Sequence, residues 1–289
     1  MQFQALAKGC YLEGLAIDAG EVWFTDIVGG GVRRRSPDGR NDTWFADRRF
    51  LAALQLNDAG VLCSGPGGIT WLNPVTGASG MLLDRIDGKP ISGVNEMTAD
   101  REGGMYFGTV DLDSIVKGRT PAPVALYRLY ADRRLRKLCD GLKFSNGLGL
   151  SPDGRRLYHN ESFVGTFAYE ISPDGSLGPA RMLLEKQDCD GLAVDRDGGV
   201  WITGFSSGDL IRVRPDGTID RRIELPAKAA TNVRFAGADG RDLYVNTVVP
   251  EAAQALGRGE MMESQTSVLY YARSDVAGLP VERTRFQLK

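Results

Sequence analysis

Glu13, Asn95, Asn146, Asp190 and Asn232 recur at one place in a repeated pattern. Six glycine turns, at Gly20, Gly60, Gly103, Gly154, Gly198 and Gly240, set the ruler. Glu13 lies seven residues before the first turn, and the other four lie eight residues before the third to sixth. Only the second turn departs, with Ala52 or Ala53 at that place. A single Asn or Asp before a strand is explained by a local Asx-turn. Five oxygen-bearing side chains in register need more, because carboxylates and amides shielded together from water require a counter-charge. A cation supplies one. Two carboxylates with carboxamides, and no His or Cys, are hard ligands that suit Ca²⁺, Mg²⁺ or Mn²⁺. Zn²⁺ also accepts carboxylate oxygen. Carbonyl-type oxygens favour the flexible coordination of Ca²⁺.

The elements that would carry these residues are short strands. Before each turn glycine runs a short apolar-alternating segment, as in Gly14–Asp18 and Leu192–Val194. After it comes a second run rich in β-branched and aromatic residues, as in Val22–Asp26, Met105–Thr109 and Val200–Thr203. Acidic-Gly and Pro-Asp-Gly turns between period-2 runs are hairpin signals, since they supply residues that tolerate positive φ. Further turns follow at Pro37–Gly39, Pro173–Gly175 and Pro215–Gly217. Each repeat therefore reads as about four strands over 40 to 51 residues, which is the size of a propeller blade. The prediction is an all-β, six-bladed propeller forming a single domain over 1–289. A β-sandwich is the rival, but sandwiches do not repeat four-strand units at this period. Ring closure would pair an N-terminal strand with Ser267–Tyr271 or with Thr284–Leu288.

Composition narrows the function classes. The net charge is −2, from 35 basic and 37 acidic residues, and no basic stripe suggests nucleic acid. No apolar run is long enough to span a membrane. The N-terminal segment has no secretory pattern, so the expected location is cytoplasmic. Cys10, Cys63, Cys139 and Cys189 are scattered and read as reduced, buried thiols. Ser64–Gly68 lacks the Lys-Ser/Thr ending of a phosphate loop and reads as a turn. Trp23, Trp71 and Trp201 read as packing between blades.

Three segments bring a family into view. Leu142–Tyr158 contains Asn146-Gly147 ahead of Ser151-Pro152-Asp153-Gly154; Cys189–Trp201 contains Asp190-Gly191; Leu12-Glu13-Gly14 opens the first repeat. Together they resemble the SMP-30/gluconolactonase/luciferin-regenerating-enzyme family of six-bladed propellers, over most of the chain. The resemblance implies that Glu13, Asn146 and Asp190 are metal ligands, with Asn95 near the metal and Thr231-Asn232 matching a late Thr-Asn pair. It further implies metal-dependent hydrolysis of a lactone, with the metal as Lewis acid and Asp190 as general base. Two departures stand out. Leu15 replaces a usual Pro, and Gly93-Val94-Asn95-Glu96 lacks an Arg two residues before the Asn, with Glu96 where an Asp is usual. The missing Arg removes a donor for a polyol. The expected partner is thus a small-molecule lactone, either sugar-derived or a less polar γ- or δ-lactone. Whether the chain is a monomer or a homodimer stays open.

Other residues enter as expectations. Residues 110–124 lengthen the third repeat and read as a loop over the site, with Asp111 as a residue facing substrate. Glu161, Asn160 and Asp26 are expected to support the ligands. His159, the only histidine, is either a proton carrier at the rim or a structural residue. Two rival functions share this sequence: other metal-assisted chemistry, such as phosphotriester cleavage or an isomerase or hydratase reaction, and a non-catalytic metal-binding scaffold.

Overall fold

The computed structural model describes all residues, 1–289. Six four-stranded antiparallel sheets stand in a ring. In chain order the blades span Leu12–Trp44, Leu54–Leu83, Gly93–Leu142, Ser145–Glu185 and Cys189–Glu224. The sixth takes three strands from Ala229–Arg273 and its outermost, Gln4–Gly9, from the N-terminus. That strand pairs with Ser267–Tyr271, so this run closes the ring. The alternative, Thr284–Leu288, has another place. It runs against the second and third blades, where Thr284 bridges Asn57 and the Phe286 N–H donates to Asn57 Oδ1 at 2.9 Å.

Alternation along each strand gives every blade two apolar faces, and neighbouring blades bury them against each other. Trp23 packs with Leu54 and Val61 of the next blade, Trp71 with Met97 and Phe107, and Trp201 edge-on to Phe235 at 5.4 Å. Ser64–Gly68 is the hairpin turn of the second blade, closed by the Gly65–Gly68 pair. All four cysteines are free. No helix is long and apolar enough to cross a membrane.

The innermost strands touch one another around the axis. In five blades the pairing of innermost and second strands slips where the ring residue sits: between Leu12 and Leu15, Val94 and Met97, Ser145 and Leu148, Cys189 and Leu192, and Ala230 and Asn232. The second blade, which has only alanines there, pairs without a slip. A bulge re-aims a side chain that regular alternation would send sideways. The glycines that follow three ring residues are required by close approach. A Cβ on Gly14 would strike the Ala52 carbonyl, on Gly147 the Asp190 carbonyl, and on Gly191 the backbone of Asn232.

Candidate metal and active site

Glu13, Asn95, Asn146 and Asp190 line one cavity of about 580 Å³ at the near mouth of the channel. Glu13, Asn146 and Asp190 are buried, with 4 % of Asp190 exposed. The Asn95 amide donates to the Ser145 carbonyl at 3.1 Å and the Asn146 amide to Ser162 Oγ at 3.3 Å. Each amide nitrogen is thereby engaged and each amide oxygen left available. A second cavity of about 590 Å³ opens at the far mouth, but no carboxylate lines it.

Glu96 and Asn232 lie elsewhere. Neither lines the cavity; both sit beneath it in a buried network with Arg234. The Asn232 amide donates to Glu96 Oε2 at 3.1 Å, and Arg234 donates to Asn232 Oδ1 at 2.8 Å. Arg234 also pairs with Glu96 Oε1 at 3.5 Å and donates to the Leu192 carbonyl at 2.9 Å. The ring thus has two levels, and the channel's buried cation serves the lower one.

The upper level has no such partner. Burial, and then the charge of Glu96, pushes Glu13 up to about 8. Burial, and then Glu13, raises Asp190 well above the usual carboxylate range, while the Asn146 amide opposes the rise. Burial followed by the same two carboxylates also raises the Tyr11 hydroxyl. Asp190 Oδ1 is buried without any hydrogen-bond partner. Buried polar atoms are nearly always satisfied, so an orphan needs an explanation. A divalent cation held by Glu13, Asp190 and the Asn146 amide oxygen fits this donor set. No three His, Cys, Asp or Glu residues cluster, so amide oxygen is an essential part of that fit.

A ring of hydrogen bonds positions these groups from behind. Asp26, fully buried and paired with Arg33 at 3.0 Å, accepts the N–H groups of Cys10 and Tyr11, both at 2.9 Å, and so fixes the approach to Glu13. On the second strands, Thr25, Ser64, Asn160, Thr203 and Asn246 each reach the next blade's ring segment. Asn160 and Asp26 were expected to support the ligands; the other four were missed. Their signal was present, since all stand four to six residues after a turn glycine.

Two expected site residues have other roles. Asp111 does not line the cavity. Its carboxylate caps the helix α1, Leu112–Val116, through Ser114 N at 3.3 Å, and ties down the loop end through Ala122 N at 2.9 Å. Glu161 accepts the Lys143 N–H at 2.9 Å and likewise stays out of the cavity. The single His159 is fully buried against Ser145 Oγ at 3.0 Å, and burial pushes it down to about 3, so it is no proton carrier at the rim.

The walls were not foreseen. Phe50, Phe144, Phe163, Phe205 and Ile27 surround the ring, and α1 supplies Leu112 and Ile115 from the 110–124 loop. A second helix α2, Pro250–Gly257, enters from the sixth blade and adds Ala253 and Leu256. The two insertions meet over the mouth, where Gly118 lies against the Arg258 carbonyl. Pro250 at the helix start and the Ala-rich run after it are a readable helix signal.

The comparisons with known proteins agree with this architecture. A family model described as the SMP-30/Gluconolactonase/LRE-like region matches residues 12–249. A 6-deoxy-6-sulfogluconolactonase from Pseudomonas putida is 28% identical over 237 residues, 78% of each chain. A pentonolactonase from Haloferax volcanii is 28% identical over 287 residues, 94% of this chain and 92% of the other. A regucalcin from Danio rerio is 30% identical over 182 residues, 60% of each. Among solved structures, a calcium-binding protein, regucalcin, from Agrobacterium tumefaciens superposes with a TM-score of 0.80 at 20% identity, covering 99% of this chain and 98% of that one. With a family match that runs from the first ring strand to the residue before α2, the chain belongs to the SMP-30/gluconolactonase/LRE-like family.

Proposed function

We propose that this protein is a lactone hydrolase whose near-mouth cavity binds a divalent metal ion, with Ca²⁺ favoured. One observation carries the reading: the unpartnered Asp190 Oδ1, buried beside Glu13 and Asn146 at the floor of an open cavity. The relatives named as a sulfogluconolactonase, a pentonolactonase and, in Azospirillum brasilense, an L-arabinolactonase support the reaction class.

Glu13, Asp190 and the Asn146 amide oxygen are the groups that would hold the ion. Bound there, a divalent cation supplies Lewis acidity toward the lactone carbonyl and offsets negative charge on its oxygen. Asp190 is the base. With the ion bound, its carboxylate would be held in the charged form, ready to take a proton from a water within hydrogen-bond reach. Water oxygen bonds to the acyl carbon, the ring C–O bond breaks, and the departing alkoxide takes up a proton to give a hydroxy acid. The aromatic walls and the two helices line the space above the ring that a lactone would enter. Tyr11 lines the same cavity, and its hydroxyl feels the charge of both carboxylates.

The test is turnover by a pH-indicator assay on EDTA-stripped protein, with Ca²⁺, Mg²⁺, Mn²⁺ and Zn²⁺ restored one at a time. Hydrolysis that vanishes with EDTA and returns with a divalent ion is expected. Equal rates before and after stripping would end the metal reading, and silence across aliphatic, aromatic and sugar lactones would end the lactonase reading.

A further inference from the structure

We infer that the lactone this site accepts carries an apolar substituent, an alkyl chain or an aromatic ring, gripped by Phe163 and its neighbours; this rests on the lactonase reading above. The polar side chains of the cavity are largely spent on the protein itself. The Asn95 and Asn146 amides donate to Ser145 and Ser162, Ser162 Oγ donates to the Cys189 carbonyl at 2.7 Å, and Ser206 Oγ donates to Asp188. Asp188 is also held by Lys186 at 2.8 Å, and Arg119 is drawn onto Asp113 at 3.0 Å. The donors left without a partner are the Tyr11 hydroxyl, the exposed Gln187 amide and the remaining N–H groups of the exposed Arg119 guanidinium. A sugar lactone carries several hydroxyls, and a pocket that buries them without partners rejects them.

The apolar groups are placed the other way, with surface left open. Phe163 exposes 61% of its surface at the cavity wall. Its backbone sits at φ 72°, and Phe50 on the facing side at φ 60°. Bulky residues rarely adopt the left-handed region, and such strain collects at functional sites. Phe163 is held there by its N–H on the Gln187 carbonyl at 2.6 Å, and Phe144 stands edge-on to its ring at 6.2 Å. Above, α1 fully buries none of its residues, although Leu112 and Ile115 face the cavity. Strained, exposed aromatic rings under a half-buried apolar roof form a slot that a flat ring or a chain would fill.

The experiment compares γ-lactones bearing no substituent, a butyl chain and a hexyl chain with glucono-δ-lactone, on metal-loaded wild type and on Phe163→Gly. Glycine accepts φ 72° without strain, so the variant should fold with an unchanged or higher Tm. The expected result is kcat/KM rising with chain length in the wild type. In the variant, KM for the hexyl lactone should rise about tenfold, a larger rise than for the unsubstituted γ-lactone. Faster turnover of glucono-δ-lactone than of any alkyl lactone overturns the inference while leaving the lactonase reading intact, as does a hexyl-lactone KM that ignores the substitution. If no lactone is hydrolysed, the lactonase reading fails, and calorimetry with a hexyl-substituted cyclopentanone then decides the slot by itself. Binding weakened about tenfold by Phe163→Gly upholds the slot; no binding, or binding indifferent to the substitution, overturns it.

Discussion

Asn160 of the fourth blade and Asn246 of the sixth hold the Asp190 and Glu13 segments of the ring in the same way. Asn160 donates its amide to the carbonyls of Asp190 and Gly191 at 2.7 and 3.2 Å. Asn246 donates to those of Glu13 and Gly14 at 3.0 and 3.1 Å. Each crosses a blade boundary, so the position of a ligand in one blade is set by a side chain of the preceding one.

Asn160→Ala should therefore loosen Asp190 without touching its carboxylate. Two buried carbonyls lose a donor, which costs about 1–3 kcal/mol in urea unfolding. Metal affinity should fall about 10–100-fold, the usual effect of losing a group that orients a ligand. Asn246→Ala should do the same through Glu13. Calorimetric titration with Ca²⁺ checks both, and wild-type affinity in either variant would refute the positioning role.

The upper carboxylates make the metal-free protein sensitive to pH. Folding raises Glu13 from 4.5 to about 8 and raises Asp190 as well. Between those limits the folded chain holds protons that the unfolded chain has released, so stability falls as pH rises from about 4.5 to 8. The loss is on the order of a few kcal/mol. Melting curves in EDTA should show Tm dropping across this range. Saturating Ca²⁺ should flatten the slope, because the ion favours the charged forms. Glu13→Gln should flatten it without metal. A slope that Glu13→Gln leaves unchanged would move the effect to another group.

Much of this arrangement was legible in the sequence because turn glycines leave little choice. Gly20, Gly103, Gly154, Gly198 and Gly240 all have φ between 71° and 87°, so each marks a hairpin and hence a blade. Depth along the axis was not legible. Asn95 and Glu96 are neighbours in sequence, yet one faces the cavity and the other the network below, because the bulge between Val94 and Met97 breaks simple alternation. Arg234 escaped notice for a related reason: a charged residue two places beyond Asn232 reads as solvent-facing until the channel buries it. Phe50 and Phe163 lie outside the strands, where periodicity has no hold. Asp111 was placed on the right loop but given the wrong partner, since a capping carboxylate and a substrate-facing one look alike in sequence.

The floor of the site depends on Arg234 and Glu96 together. Arg234→Met leaves Glu96 buried with Asn232 but without a charge partner, and should cost about 3–5 kcal/mol. Adding Glu96→Gln should recover much of that loss, since the unpaired charge disappears with it. Alone, Glu96→Gln should lower the proton affinity of Glu13, because the Glu96 charge helps to raise it. The metal-free melting profile would then begin to recover at lower pH than in the wild type. A double-mutant cycle in urea checks the coupling, and simple additivity of the two losses would show that the pair is not a unit.

Asp111 separates a loop-holding role from a chemical one. Its carboxylate spans the 110–124 loop, from Ser114 N at the start of α1 to Ala122 N near the end. Asp111→Ala removes the cap, worth about 1 kcal/mol, together with the tie to Ala122. The roof contact between Gly118 and the Arg258 carbonyl depends on that loop keeping its shape. The expected outcome is faster tryptic cleavage at Lys117 and Arg119 and a higher KM, with kcat and Ca²⁺ affinity close to wild type. Asp111→Asn should restore much of the protection, because asparagine caps helices about as well as aspartate. A carboxylate acting on substrate would behave in the opposite way: kcat would fall in both variants, and protease resistance would follow the cap alone.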